Sequence, residues 1–385
     1  MTKASRRSTE ISSFKVMDIL EAAKELEKKG RNIVHFEVGE PEFKTPAPVS
    51  RAGIDAIKKG HTRYTHSMGT IELRKEICKF YRKEYGITIA PEQVIVSNGS
   101  SAGLLLTFAA LVNKGDKVIL GTPHYSCYPN YITFLGGKPT YVKLLEKEGF
   151  QLSPARVKEK ITPKTKAILI NSPSNPTGAV MTPKIMKELA KLDPIIVSDE
   201  IYHGLTYGEK AHTILEYTDN AFVLGGFSKR FAMTGWRIGY VIAPMEFIRP
   251  MQKVQQNFQI SPNSIAQDAA IAALATGLKD AEKMRLEYMK RRNILMEGLR
   301  ESGFKVTYEP EGAFYLFVSC RFLSKDSLKL AFRILNETGV AVTPGIDFGA
   351  SGEGYLRFSY TTDPKNILEG IRRLKRFVLM SGKHA

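Results

Sequence analysis

Lysine and arginine stand close together in Phe227-Ser228-Lys229-Arg230-Phe231-Ala232-Met233-Thr234-Gly235-Trp236-Arg237-Ile238-Gly239-Tyr240, which holds the chain's only tryptophan. A lysine amine condenses with an aldehyde, and an arginine guanidinium is a strong partner for a phosphate. Apolar runs at 221–224 and 238–243 flank the stretch. Lys229 is therefore expected on a loop between two core strands, where functional groups are held. Most of the 56 lysines and arginines must be solvated surface charges, and Ser-Lys alone carries no signal. The weight of the reading rests on what other polar residues accompany it.

An apolar strand at 94–97 runs into Asn98-Gly99-Ser100-Ser101-Ala102-Gly103 and an apolar helix reaching 112. A helix start offers free N–H groups and a positive dipole end to an anion, although an ordinary capped helix reads the same way. After the strand at 117–120, Tyr125 offers a ring that either packs in the core or lies on a flat heterocycle. A strand at 167–170 leads into Asn171-Ser172-Pro173-Ser174-Asn175-Pro176-Thr177-Gly178, and a strand at 194–198 ends at Asp199-Glu200-Ile201-Tyr202. Asp199 is either a helix N-cap or a carboxylate that needs a partner, since burial at a strand end is costly without one. Arg357 lies inside the apolar run 354–359. It is either a surface arginine or, if buried, one that needs an anion.

Four strings carry a resemblance. S-K-x-x-x-M-T-G-W-R-I-G-Y at 228–240, N-x-P-x-N-P-T-G at 171–178, G-x-P-x-F-x-T-P at 39–46 and Y-T-x-x-x-G-x-x-x-L-R at 64–74 closely resemble the motifs of class I, fold-type I aminotransferases. They stand in family order over about 39–359, and the likeness is nearest to the aspartate-aminotransferase-like branch. That family uses pyridoxal 5′-phosphate, which offers an aldehyde to Lys229 and a phosphate to Arg237. The resemblance implies further roles. Lys229 holds the aldehyde and acts as general base. Asp199 pairs with the protonated ring nitrogen, Asn175 and Tyr202 reach the phenolic oxygen, and Tyr125 stacks on the ring. Ser100, Ser101, Ser228 and Arg237 hold the phosphate, joined by Tyr64 from the neighbouring subunit. Arg357 clamps the substrate α-carboxylate, with Gly39 and Asn175 beside it. Two departures stand out. Gly226 replaces a serine that the family often places on the phosphate, and Ser101 stands where some members carry a lysine for a second substrate carboxylate. The implied reaction is ping-pong transfer of an amino group from an L-amino acid to a 2-oxo acid such as 2-oxoglutarate, with aspartate as the working donor. Alanine or aromatic donors, or a lyase or decarboxylase on the same scaffold, are the alternatives.

These groups need a scaffold that brings strand ends together. The implied fold is α/β: a large domain over 46–280 with a mixed, mostly parallel seven-stranded sheet, and a smaller α+β domain joining 1–45 to 281–385. Periodicity predicts helices at 16–26, 71–85, 277–302, 327–337 and 364–379, and the resemblance implies a glutamine- and alanine-bearing helix over 254–274. Short strands are expected at 33–36, 306–308, 313–318 and 340–342, after a loose arm at 1–7. At 385 residues the chain suits two domains. The formal charge of +17 reads as solubility and attraction for carboxylates and phosphate; no nucleic-acid module accompanies it. A basic nucleic-acid binder is therefore the disfavoured rival. Three scattered cysteines favour a reducing cytoplasm. No signal peptide, membrane span or metal-ligand spacing is expected, His61 and His66 included. A homodimer with shared active sites is expected from the role implied for Tyr64.

Overall fold

Runs of β-branched and aliphatic residues make the strands of the computed structural model, which describes residues 4–381. In chain order these are β1 (Val34–His35), β2 (Val94–Ser97), β3 (Lys117–Thr122), β4 (Lys138–Lys143), β5 (Thr165–Asn171), β6 (Ile195–Asp199), β7 (Ala221–Gly226), β8 (Gly239–Ile242), β9 (Tyr315–Ser319), β10 (Val340–Ala341), β11 (Thr343–Pro344) and β12 (Tyr355–Ser359). The main sheet has seven strands in the order β2-β8-β7-β6-β5-β3-β4. Only β8 runs against its neighbours, so the sheet is mixed and mostly parallel, as expected. Helices cover both faces, which explains why β2 and β6 are buried at every residue and read as unbroken apolar runs. The edge strand β4 buries only Val142, and its Lys-Pro-Thr-Tyr-Val-Lys sequence gives no apolar run to read.

Several elements match their expected bounds closely. The helix Ile71–Tyr85 starts where the Thr70 hydroxyl accepts the Leu73 N–H, and ends at Gly86 in the left-handed conformation. The long helix Leu278–Glu301 leads to a small antiparallel sheet, β11-β12-β9, in which Arg357 sits opposite Phe317 and Thr343.

Three expectations are corrected. Residues 254–274 are not one helix: Met245–Phe258 and Ser264–Thr276 are separated by a break, where Ile260 has φ +64° and the Asn263 side chain caps the second helix by accepting the Ala266 N–H at 3.1 Å. No strand forms at 306–308; Lys305 makes one isolated bridge to Ser319, and Tyr308 instead packs edge-on to Phe150. The expected arm is helical from Arg6 to Glu10, capped by the Ser5 hydroxyl, while its first residues, 1–3, lie outside the described ones. Among the described residues no helix is long and apolar enough to cross a membrane.

The direction of the strands places the chemistry. β2, β3, β5, β6 and β7 run the same way, so their carboxyl ends open on one side of the sheet, where ligands of open α/β sheets bind.

Candidate active site

A cavity of about 300 Å³ lies across those strand ends, at the lower limit of common ligand pockets. Lys229, just after β7, donates from Nζ to the Gly39 carbonyl at 2.8 Å. Burial pushes its pKa down to about 8; Glu40 and Asp199 act against that shift, and Arg357 and Arg237 act with it. Asp199 ends β6. Its Oδ2 accepts from the Tyr128 hydroxyl at 2.6 Å and its Oδ1 from the Ile201 N–H at 3.2 Å. Burial raises its pKa, and these two donors oppose the rise. A turn follows Asp199, so it caps no helix.

Another part of the cavity wall could hold an anion. Gly99, at φ +88°, precedes the helix Ser100–Leu111. A Cβ on Gly99 would lie 2.7 Å from Arg237 Nη2, and one on Gly239 would lie 2.9 Å from the Ser100 amide nitrogen. The two glycines therefore let the guanidinium and the strand backbone close on the helix start, beside Ser100 and Ser101. Ser228 also lines this cavity. Gly226 does not: a Cβ there would meet Ile201 Cδ1 at 2.7 Å, which gives a packing reason for the absent serine.

Tyr125 lines the cavity with its ring edge-on to Phe14 and Tyr128. Arg357 is 3% exposed, which rules out the surface reading. Its Nη1 donates to Asn175 Oδ1 at 2.9 Å, and its Nη2 to Thr343 Oγ1 at 3.1 Å and to the Glu37 carbonyl. The guanidinium carbon lies 4.3 Å from the Tyr315 ring centroid. The Tyr202 and Tyr315 hydroxyls pair at 2.8 Å. Gly39 is needed where it stands, because any Cβ would collide with the Tyr315 hydroxyl.

The fold thus gathers Gly39, Ser100, Ser101, Tyr125, Asn175, Asp199, Tyr202, Ser228, Lys229, Arg237 and Arg357 around one cavity. Tyr64 is not among its walls. It is 81% exposed and lines an outer hollow shared with Arg63, Asn98 and Arg237. Sequence reasoning missed Tyr128, which holds Asp199, and Tyr315, which touches three site residues. It also missed Phe14, Val16 and Met17, which wall the cavity from the N-terminal helix Lys15–Lys28 and the residue before it. That wall is tied down by Asp347, which accepts from the Lys15 N–H at 2.8 Å and the Ser126 hydroxyl at 2.9 Å.

A planar aldehyde phosphate fits this donor set. A half-buried amine with a lowered pKa, a buried carboxylate that can meet a ring cation and the aromatic Tyr125 line the cavity, and a guanidinium adjoins a helix start.

The family model for aminotransferase class I and II matches residues 31–374. The chain is 40% identical to the (5-formylfuran-3-yl)methyl phosphate transaminase of Methanocaldococcus jannaschii over 97% of this chain and 99% of that one. It is 36% identical to the aspartate aminotransferase of Geobacillus stearothermophilus, over 98% and 99%. A solved Methanococcus jannaschii structure, described as similar in its active site to kynurenine aminotransferases, is 40% identical, covers 98% of this chain and 100% of its own, and superposes with a TM-score of 0.91. A family match across nearly the whole chain, with relatives this close, establishes that the protein belongs to the class I and II aminotransferases, a pyridoxal-phosphate-dependent family, and to its aspartate-aminotransferase-like group.

Proposed function

We propose that the chain moves an amino group from an L-amino acid to a 2-oxo acid, with 2-oxoglutarate as acceptor, in a ping-pong exchange. The observation that carries this reading is the half-buried Lys229 amine, with its lowered pKa, in one cavity with Asp199, Arg237 and Arg357. Pyridoxal phosphate bound there supplies an aldehyde and a ring that draws electrons from the substrate α-carbon. Ser100, Ser101, Ser228 and Arg237 would hold its phosphate, and Tyr125 would stack on its ring. Asp199, whose charged form the Tyr128 hydroxyl favours, would hold a proton on its ring nitrogen. Asn175 and Tyr202 would bond its phenolic oxygen. Arg357, with Gly39 and Asn175 beside it, orients the substrate α-carboxylate through paired hydrogen bonds. Lys229 Nζ would take up the substrate α-proton as general base; a pKa lowered to about 8 keeps a useful share of the amine neutral near neutral pH.

Donor choice has two readings. Aspartate is supported by the relative named for it. A neutral donor, alanine or an aromatic amino acid, is favoured by the lining: Phe14, Val16 and Met17 are apolar and Glu40 is acidic. Among the described residues, the only lysines and arginines in the walls are Lys229, Arg237 and Arg357, so a second carboxylate would be buried without a cation of its own. The relative named for an aldehyde phosphate makes a phosphorylated aldehyde an acceptor to test beside 2-oxoglutarate.

The reading extends to assembly. A homodimer in which Tyr64 serves the partner's phosphate site is supported by the exposure of Tyr64 beside Arg237's outer face. A large domain of 46–280 and a small one of 1–45 with 281–385 agree with the separate sheets. A reducing, cytoplasmic setting agrees with three free cysteines. The test is steady-state kinetics with aspartate, alanine and phenylalanine, each against 2-oxoglutarate and the aldehyde phosphate. A keto acid released from the donor without carbon dioxide supports transamination; carbon dioxide or an eliminated side chain would replace it with a decarboxylase or lyase. A far higher kcat/KM for aspartate would overturn the neutral-donor reading.

A further inference from the structure

Behind the active cavity lies a second, small one of about 20 Å³, walled in part by Glu200, His203, Arg230 and Tyr240. Glu200 follows Asp199 in the chain, and Arg230 follows Lys229. Each residue proposed for the chemistry therefore has a charged neighbour facing the rear. For Asp199 and Glu200 this follows from the alternation of side chains at the end of β6.

Glu200 is 3% exposed. Its Oε1 accepts from the Ser198 hydroxyl at 2.9 Å, the Ile214 N–H at 3.0 Å and the Thr213 hydroxyl at 3.1 Å. Its Oε2 has no hydrogen-bond partner among the described residues, and neither has the buried Nε of Arg230. His203 does not complete the set. Its Nδ1 pairs with the Tyr85 hydroxyl at 2.8 Å, its Nε2 has no partner among the described residues, and burial pushes its pKa down to about 3, so it stays neutral 3.5 Å from Glu200. The Arg230 guanidinium lies 5.3 Å from the Phe80 ring centroid, which adds no acceptor for Nε.

A buried acceptor and a buried donor left without partners each carry a desolvation cost of about 1–3 kcal/mol. A polar void of about 10–15 Å³ or more holds a water molecule when two to four polar groups face it. At about 20 Å³ this cavity meets the size condition, and Glu200, His203 and Arg230, each with an unpartnered buried atom, stand in its walls. We propose that it binds one ordered water, which donates to Glu200 Oε2 and accepts from Arg230 Nε, and that this bridge makes Glu200 and Arg230 positioning residues for Asp199 and Lys229. The positioning half rests on the roles assigned above; the water site does not. Burial, helped by the nearby Asp199 charge, pushes the Glu200 carboxyl up to about 8 against the three hydrogen bonds that lower it, and a water-linked guanidinium acts in the same direction as those bonds.

The bridge has two ends, so losing either end loses the same interaction. Glu200→Gln keeps the shape, and Arg230→Met keeps the length. Each is expected to lower kcat about tenfold with KM within about twofold, and the double variant is expected to lose no more than the worse single. A purely structural role would instead lower the melting temperature and leave kcat of the folded fraction unchanged. Unchanged kcat, or losses that multiply in the double variant, would overturn the positioning role. A high-resolution crystal structure of the cofactor-free wild type tests the site itself. Density for one water within hydrogen-bond distance of both atoms supports it; a dry cavity, or a direct Glu200–Arg230 contact, overturns it. If the wild type transaminates no donor, the proposed function fails while the water site still stands or falls on that density.

Discussion

The Tyr128 hydroxyl is the group that should decide whether Asp199 is ionised. Tyr128→Phe removes one oxygen and keeps the ring that packs edge-on to Tyr125 at 5.2 Å. Asp199 is 5% exposed, so burial works against its charge with little solvent relief. The Tyr128 hydrogen bond, at 2.6 Å, is the strongest influence in the other direction. A hydrogen bond to a charged acceptor is worth about 1.5–3 kcal/mol. Its loss should raise the Asp199 pKa further. Only the ionised carboxylate can hold the ring-nitrogen proton, so the acid limb of the kcat–pH profile should move to higher pH. On the acid limb itself, kcat should fall about 10- to 100-fold. The assay is kcat at saturating donor across pH 5–9, as a range of about four units, with circular dichroism to verify the fold. An acid limb that stays in place, with kcat within about twofold of wild type, would refute the claim that Tyr128 keeps Asp199 charged.

Other predictions follow from the same geometry. Asp199→Asn should cost most of the turnover, yet cofactor-free protein should be at least as stable as wild type at neutral pH. The folded-state pKa of Asp199 is raised, so its contribution to stability is full below the unfolded pKa and is lost as pH rises through the folded one. Urea unfolding at pH 4 and pH 7 checks that sign. Lys229→Ala should abolish turnover, and borohydride reduction of the wild-type holoenzyme followed by peptide mapping should label Lys229; label on Lys210 would exclude the assignment. Arg357→Ala should lower kcat/KM about a hundredfold for every donor alike, whereas loss for one donor alone would move Arg357 from the α-carboxylate to the side chain. Gly226→Ser should destabilise by about 1–3 kcal/mol through overpacking on Ile201, and Ile201→Val in the same chain should recover part of that in a denaturant titration.

The residues that sequence alone could place are those at strand ends. Asp199, Asn175 and the Ser100–Ser101 helix start each follow an apolar run, and a buried parallel strand writes its end clearly, as the point where apolar residues stop. The elements that were missed or misread lack such a signal. β4 is half polar because it lies at the edge, and the break at 259–263 depends on the left-handed Ile260, a conformation that its side chain disfavours. Residues 306–308 have β-forming side chains but bridge the sheet at Lys305 alone, so propensity was overruled by contact.

Tyr128, Tyr315 and the wall of Phe14, Val16 and Met17 fail to show in the sequence for another reason. Each acts by meeting a partner far along the chain: Tyr128 meets Asp199, Tyr315 meets Tyr202, and Phe14 meets Tyr125. Their residue types suit an ordinary core equally well, so nothing local separates the two uses. Glu200 differs from them. A second carboxylate directly after Asp199, at the end of an apolar strand, cannot face the same cavity, because the side-chain period of a strand is two. Acid pairs at a strand end therefore imply two buried polar environments, one on each side. Here the front one belongs to the active cavity, and the rear one contains Arg230, the residue after the active-site lysine. The consecutive pairs Asp199-Glu200 and Lys229-Arg230 face both environments, so substitutions at Glu200 or Arg230 should be felt at Asp199 and Lys229 through the backbone they share.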